Sequence, residues 1–299
     1  MSDKWLVNDC LGTLSEKTFW HTLLELDLED RTGGYTPFNR LADKIEMEAA
    51  SDLPRLIIRN GTYFRTINLP VRTISFVQDV TSGRAAEMQR AVMDSSDVVV
   101  FNSEYTRLHV ASTKTPHVTV PIGVDFDLFR PAKELKWTHK LPQDTVLFVG
   151  AASDVKGWEF LVDLIEETRF HFAIVAKDGA GFEHPRVTNF GRVSQETLVE
   201  IMNACGALVC TSKTETQHLA GIEAAACGLP LIVPNVGIYY DDLNKDVPYG
   251  EVVERSVSRF ALAIHKVLAM RDRYAPREHF LSKGCDKVTC MNRWKELIA

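Results

Sequence analysis

The chain has 299 residues, 45% of them hydrophobic, which allows a sizeable core and two domains. Its formal net charge of -6 argues against a globally basic nucleic-acid binder. No run approaches the roughly 20 apolar residues of a membrane span, and the start, MSDKWLVNDC, lacks the apolar stretch of a signal peptide, so a cytoplasmic location is expected.

Lys4 to Val7 reads as a first strand, followed by a polar loop from Asn8 to Ser15 that contains Gly12. Ser15 caps a helix over Glu16 to Leu26. Leu56 to Ile58, Thr73 to Val77 and Val98 to Phe101 are strand candidates, with helices over Gly83 to Met93 and Glu104 to Ala111. Strands alternating with helices predict an α/β fold with parallel sheets covered on both faces. Pro116 to Pro142 carries four prolines and leads into a new strand, which marks a domain boundary. The second half repeats the alternation: strand Val146 to Val149, helix Trp158 to Glu167, strands Phe172 to Ala176 and Val187 to Phe190, and helix Gln195 to Asn203. The expected division is 1–130 for a compact first domain, 131–143 for a linker, 144–275 for a second domain and 276–299 for a terminal helix.

Six arginines between Arg55 and Arg90 (Arg55, Arg59, Arg65, Arg72, Arg84, Arg90) stand against Asp79 and Glu87. Such a run meets phosphate, an anionic membrane surface or nucleic acid, or is a solvated face with scattered ion pairs; the last is the leading reading. The six cysteines sit mostly in apolar segments and read as buried thiols. Cys285 and Cys290 lack a second pair at zinc spacing, so no metal site is expected.

The most informative stretch is Thr211 to Pro234, TSKTETQHLAGIEAAACGLPLIVP, where Glu215 and Glu223 are separated by seven residues. Ala207 to Cys210 is a short strand, Thr211 to Gln217 a polar loop, and the run from Leu219 a helix that Gly228 and Pro230 end. Glu223 is the only charge between Leu219 and Cys227, so its carboxylate needs hydrogen-bond donors. The helix start at His218, Leu219 and Ala220 offers free N–H groups suited to phosphate.

This segment resembles the Glu-seven-Glu signature of retaining glycosyltransferases of the GT-B fold, in particular glycosyltransferase family 4. VPIGVDFDLFRP (Val120 to Pro131), VLFVGAASDVKGWEFL (Val146 to Leu161) and FGRV (Phe190 to Val193) resemble the family's interdomain segment, phosphate-loop region and nucleobase-contacting strand end, in the family's order. The resemblance implies two Rossmann-like doubly wound domains facing a cleft, with a terminal helix crossing back to the first. It implies transfer from a nucleotide-sugar co-substrate, UDP- or GDP-linked, without metal or other cofactor. Lys156 and Glu215 then carry catalysis. Glu223, His218, Leu219, Ala220, Arg192, Val193, Gln78 and Gly12 bind the donor.

Two departures stand out. The family usually carries an arginine after the glycine ending the phosphate-loop strand, where this chain has Ala151 and Ala152, so Lys213, Lys177 or one of the Arg55–Arg90 group is expected to substitute or the donor differs. It also has Gly-Phe-Gly after the first glutamate, where this chain has Thr216, Gln217 and His218. Asp125-Phe126-Asp127 has metal-site spacing but is read as a cap and turn, and Gly179-Ala180-Gly181 as a turn. The acceptor is not legible. DNA bearing a hydroxymethylated base is an alternative acceptor, not favoured; peripheral membrane contact is compatible with the sequence; a non-catalytic sugar-nucleotide-binding protein is the rival of another class.

Overall fold

The structure, a computed structural model, describes residues 3–8, 23–31, 38–60, 65–132, 141–142, 144–177 and 181–299. The expected helix over Glu16 to Leu26 lies mostly outside them, as do Gly12, Ser15, Cys10, Gly179 and Ala180. Two compact units emerge, one of residues 1–123 with 288–299, the other of residues 124–287.

In the first unit, β1 (Lys4–Asn8), β2 (Glu29–Asp30), β3 (Leu56–Asn60), β4 (Arg72–Val77), β5 (Val98–Phe101) and β6 (His117–Thr119) form an all-parallel sheet in the order β2-β1-β3-β4-β5-β6. Helices α1 (Phe38–Ala49), α2 (Gly83–Asp94) and α3 (Glu104–His109) connect them. The central strands are buried, with Ile57, Ile58, Ile74, Phe76, Val99 and Val100 at 0% exposure. That continuous apolar reading is what a parallel strand covered on both faces requires.

The second unit holds β7 (Val146–Val149), β8 (Phe172–Val175), β9 (Val187–Asn189), β10 (Ala207–Val209), β11 (Leu231–Val233) and β12 (Gly250–Val252), again all parallel, in the order β12-β11-β10-β7-β8-β9. Its helices are α4 (Trp158–Glu167), α5 (Gln195–Ala204), α6 (Leu219–Ala226), α7 (Val257–Ala269) and α8 (Pro276–Ser282). Alternate strand residues feed opposite faces. Val146, Phe148, Phe172 and Ile174 pack with α4 and α7, whereas Leu147, Ala173 and Leu208 pack with α5 and α6. This is the α/β fold with two Rossmann-like parallel sheets that the alternation of strands and helices and the resemblance lead one to expect.

The final helix, α9 (Lys287–Ile298), returns to the first unit. Trp294 is fully buried there against Phe76, with ring centroids 5.3 Å apart and planes at 90°. Residues 124–132 and α8 pack instead with the second unit. Phe126 and Phe129 join its core, Asn203 accepts from the Ala132 N–H at 2.7 Å, and Arg277 donates to the carbonyls of Phe126, Phe129 and Ala226. Asp125 Oδ1 accepts from the N–H groups of Asp127 and Leu128, both at 3.0 Å, so the Asp-x-Asp triplet closes a turn.

The arginine-rich stretch is largely consumed by the fold. Arg55 pairs with Asp3, Arg65 with Glu46 and Asp43, and Arg72 donates to the Leu297 carbonyl. Arg59 is 1% exposed. Arg84 and Arg90 remain exposed on α2.

Candidate active site

Strand order in the second sheet reverses between β10 and β7. From β7 the chain runs through α4 to β8 on one face; from β10 it runs through α6 to β11 on the other. The two neighbouring strands thus lead to helices on opposite faces, and their carboxyl ends are where open parallel sheets bind ligands.

The two loops are bonded to one another. Thr211 Oγ1 donates to the Lys156 carbonyl at 2.8 Å, and the Lys213 N–H to the Val155 carbonyl at 2.9 Å. Lys213 also pairs with Asp154. Gly157, the N-cap of α4, is left-handed at φ 68, and a Cβ there would stand 2.0 Å from the Thr211 carbonyl oxygen. Only glycine satisfies both the backbone angle and the approach.

This contact delivers Lys156 to Glu215. Lys156 Nζ lies 2.7 Å from Glu215 Oε1, which also accepts from Ser212 Oγ at 2.6 Å. The Glu215 side chain is only 9% exposed. Burial alone would raise its pKa, but the nearby His218 and Lys156 positions and the two hydrogen bonds hold it below the ordinary range. At neutral pH the charge acting on it is that of Lys156, because His218 is neutral: burial, partly opposed by Glu215, brings the imidazole down to about 4.

His218 is the N-cap of α6 in the left-handed region, φ 69 and ψ 69, and its side chain does not cap the helix. Its Nδ1 lies 2.8 Å from the hydroxyl of fully buried Tyr239. Gly221 makes room for that pair, since a Cβ there would fall 2.0 Å from the Tyr239 oxygen and 2.5 Å from Nδ1. The N–H groups of Leu219 and Ala220 have no acceptor among the described residues, so α6 opens with unused donors and the positive end of its dipole. At its far end Gly228 (φ 83) closes the helix as expected, with the Gly228 N–H on the Ala225 carbonyl and the Leu229 N–H on the Ala224 carbonyl.

Glu223 stands on α6, half-buried at its surface but surrounded closely enough that desolvation pushes its pKa up to about 7. Among the described residues no donor meets its carboxylate. Arg192 is exposed just beyond β9, and Val193 packs against the second unit's core. Gln78 directly follows β4 of the first unit and is 5% exposed; Gly12 lies outside the described residues. Residues 156, 215 and 218 are thus brought together, with Leu219 and Ala220 directly following on α6.

Sulfur, oxygen and nitrogen atoms of Cys210, Glu215 and His218 come within 4.8 Å of one another. They do not fit a metal ion well: Glu215 Oε1 is held by Lys156 and Ser212, and burial pushes the Cys210 thiol up to about 12. Ser212, Tyr239 and Arg255 are missing from the sequence-based expectations. Ser212 had a local signal, three residues before Glu215; Tyr239 and Arg255 reach the site only through tertiary folding. Among the described residues no helix is long and apolar enough to cross a membrane, and the five described cysteines are free and buried.

Residues 143–270 match the model of the family described as glycosyl transferases group 1. The GDP-mannose-dependent alpha-(1-6)-phosphatidylinositol monomannoside mannosyltransferase of Mycobacterium tuberculosis is 28% identical over 254 residues, 72% of this chain and 63% of the relative. The D-inositol 3-phosphate glycosyltransferase of Geodermatophilus obscurus is 28% identical over 71% of this chain and 51% of its own length. The chain therefore spans less than two thirds of the length of these curated relatives. Sucrose-phosphate synthase from Thermosynechococcus elongatus superposes with a TM-score of 0.79 at 16% identity, covering 100% of this chain and 98% of that one. Anabaena HepE in complex with UDP-glucose gives 0.76 at 15% identity, covering 99% of each chain. The matched segment, the two parallel sheets and the terminal helix returning to the first unit agree: the second unit is similar to the glycosyl transferases group 1, and the chain has the GT-B fold.

Proposed function

We propose that this protein is a retaining, metal-independent glycosyltransferase that moves a sugar from a UDP- or GDP-sugar to a hydroxyl acceptor. The observation that carries this reading is the Lys156–Glu215 pair at the β7/β10 switch point, next to the unused N–H groups of α6. The ammonium and the helix start supply the positive charge a departing diphosphate needs. Glu215 accepts hydrogen bonds from the donor sugar and faces the positive charge that develops on the sugar as the bond to phosphate lengthens. Glu223 accepts from the ribose hydroxyls, while Arg192 and Val193 meet the nucleobase. The new bond forms on the face the diphosphate leaves, and a leaving phosphate oxygen takes the acceptor's proton. No side chain is then required as base. A GDP-mannose-dependent relative and a UDP-glucose-bound structural neighbour support a nucleotide-sugar donor.

Thermal-shift screening against UDP- and GDP-sugars tests the reading; ligand at one hundred times Kd adds about 2.7 kcal/mol. Lys156→Ala and Glu215→Ala should each lower turnover about 100- to 1,000-fold, and parental rates in either variant would refute the assignment. Ala151 and Ala152, where the family carries arginine, favour a second reading as a sugar-nucleotide-binding protein. Saturable binding without transfer or donor hydrolysis would select it.

A further inference from the structure

One cation next to the site lies outside every segment the sequence singles out. Arg255 follows β12 and is half-buried. Its Nε donates to the Thr211 carbonyl at 2.9 Å, and its guanidinium lies over the Phe160 ring, 4.4 Å from the centroid. A Cβ on Gly157 would stand 2.7 Å from Nη2, so the guanidinium presses directly on the turn that carries Lys156. Among the described residues no carboxylate is in ion-pair reach of it.

Thr211 is the link. Its carbonyl oxygen takes the Arg255 bond, its Oγ1 donates to the Lys156 carbonyl, and Gly157 closes over the same carbonyl oxygen. Three loops, after β7, β10 and β12, meet at one peptide unit. A planar guanidinium suits that junction: one edge donates to a carbonyl while the face rests on an aromatic ring. Lysine has no such face.

We infer that Arg255 is a positioning residue, which fixes the Lys156 turn against the Thr211–Glu215 loop and thereby holds the Lys156 ammonium on Glu215. The inference rests on the proposed transferase reading. It bears on the absent arginine after Gly150: with alanines at 151 and 152, stabilisation of the leaving group depends more heavily on where Lys156 stands. Lys213, the nearer substitute expected from sequence, is engaged by Asp154, and Arg255 acts through the backbone.

The test uses the full chain with Arg255→Met, Arg255→Lys and Thr211→Val. Amide hydrogen exchange over residues 153–157 and 211–215 should rise at least about tenfold in Arg255→Met, with the rest of the second unit unchanged. Donor hydrolysis and transfer should show kcat down about 10- to 100-fold with donor KM within about threefold, because a misplaced ammonium fails mainly where charge develops. Arg255→Lys should recover part of the loss. Arg255→Met with Thr211→Val should cost less than the product of the single effects, since both act through one peptide. Unchanged exchange overturns the strut. Raised exchange with parental kcat, or a loss confined to KM, overturns the positioning role. If the parent turns over no UDP- or GDP-sugar, the transferase reading fails separately and exchange alone judges the strut.

Discussion

Glu223 offers the sharpest prediction, because its stability cost and its binding role have opposite signs. Its pKa is pushed from the ordinary 4.5 to about 7 by desolvation, and no donor among the described residues offsets this. A raised carboxyl pKa leaves the fold unpenalised below pH 4.5; the penalty grows between 4.5 and 7 and is complete above 7. At about 1.4 kcal/mol per pH unit, the full penalty is about 3 kcal/mol. Glu223→Gln removes the charge and keeps the shape. It should therefore stabilise the second unit at pH 8 by about 3 kcal/mol, or about 6–12 °C in Tm for a unit of this size, and do almost nothing at pH 4.5. The same variant should bind UDP or GDP about 5- to 150-fold more weakly, the equivalent of about 1–3 kcal/mol lost when charged acceptors of ribose hydroxyls become neutral. Parental affinity should level off above about pH 8 and fall about four- to tenfold by pH 6 as the carboxyl protonates. Thermal unfolding and calorimetric titration at the two pH values read both effects. A Glu223→Gln protein that is destabilised at pH 8, or stabilised equally at both, refutes the desolvation argument; parental nucleotide affinity refutes the ribose role.

Four further outcomes follow from the site. Turnover should be unaffected by EDTA or added Mg2+; a divalent-ion requirement would overturn the metal-independent reading. Gly157→Ala should destabilise the second unit by at least about 2 kcal/mol, from left-handed strain and the clash with Thr211, whereas Gly181→Ala, with nothing within 4 Å, should stay within about 0.5 kcal/mol in chemical denaturation. His218, held at about 4, should contribute no titration between pH 6 and 8, so a rate inflection there that disappears in His218→Asn would contradict its neutral assignment. Tyr239→Phe should cost about 1–3 kcal/mol in denaturant titration by stranding the buried Nδ1; no loss would mean that the pair is dispensable.

How much of this was legible depended on which force fixed each element. Strands β5, β7 and β11 and helix α4 stand at the residues their apolar runs and periodicity mark. Strand β12 has no such mark: Gly250, Glu251 and Val252 are extended because β11 pairs with them along its full length. Helix α7 is absent from the expectations despite readable signals, a Ser256 cap and Phe260, Ile264 and Val267 at helical spacing. The units divide between residues 123 and 124, inside the proline-rich segment, and Phe126 and Phe129 go with the second unit because they find their apolar partners there. In the site, Glu215, Lys156 and the α6 start were visible as residue types at fixed spacing. The bonds that hold them were not, because Arg255, Tyr239 and Thr211 act across 44, 21 and 55 residues of sequence.

The departure at residues 216–218 takes a specific physical form. The resembled family has glycine third after the first glutamate, and here His218 occupies that place with φ 69. The backbone therefore keeps a conformation glycine adopts freely, at a cost to histidine of about 1–2 kcal/mol. Gly221 and Tyr239 offset part of it, one by leaving space and the other by a 2.8 Å hydrogen bond. A left-handed backbone at a non-glycine residue makes sense if the N–H groups that follow must be aimed at an anion. On the proposed reading, the left-handed backbone at 218 aims the N–H groups at the diphosphate, and the imidazole bears on what else the donor presents there. A His218→Gly protein should then retain nucleotide affinity within about threefold while its preference among donor sugars changes. Loss of nucleotide binding in that variant, with the fold intact by thermal unfolding, would show that the imidazole and not the backbone had been receiving the diphosphate.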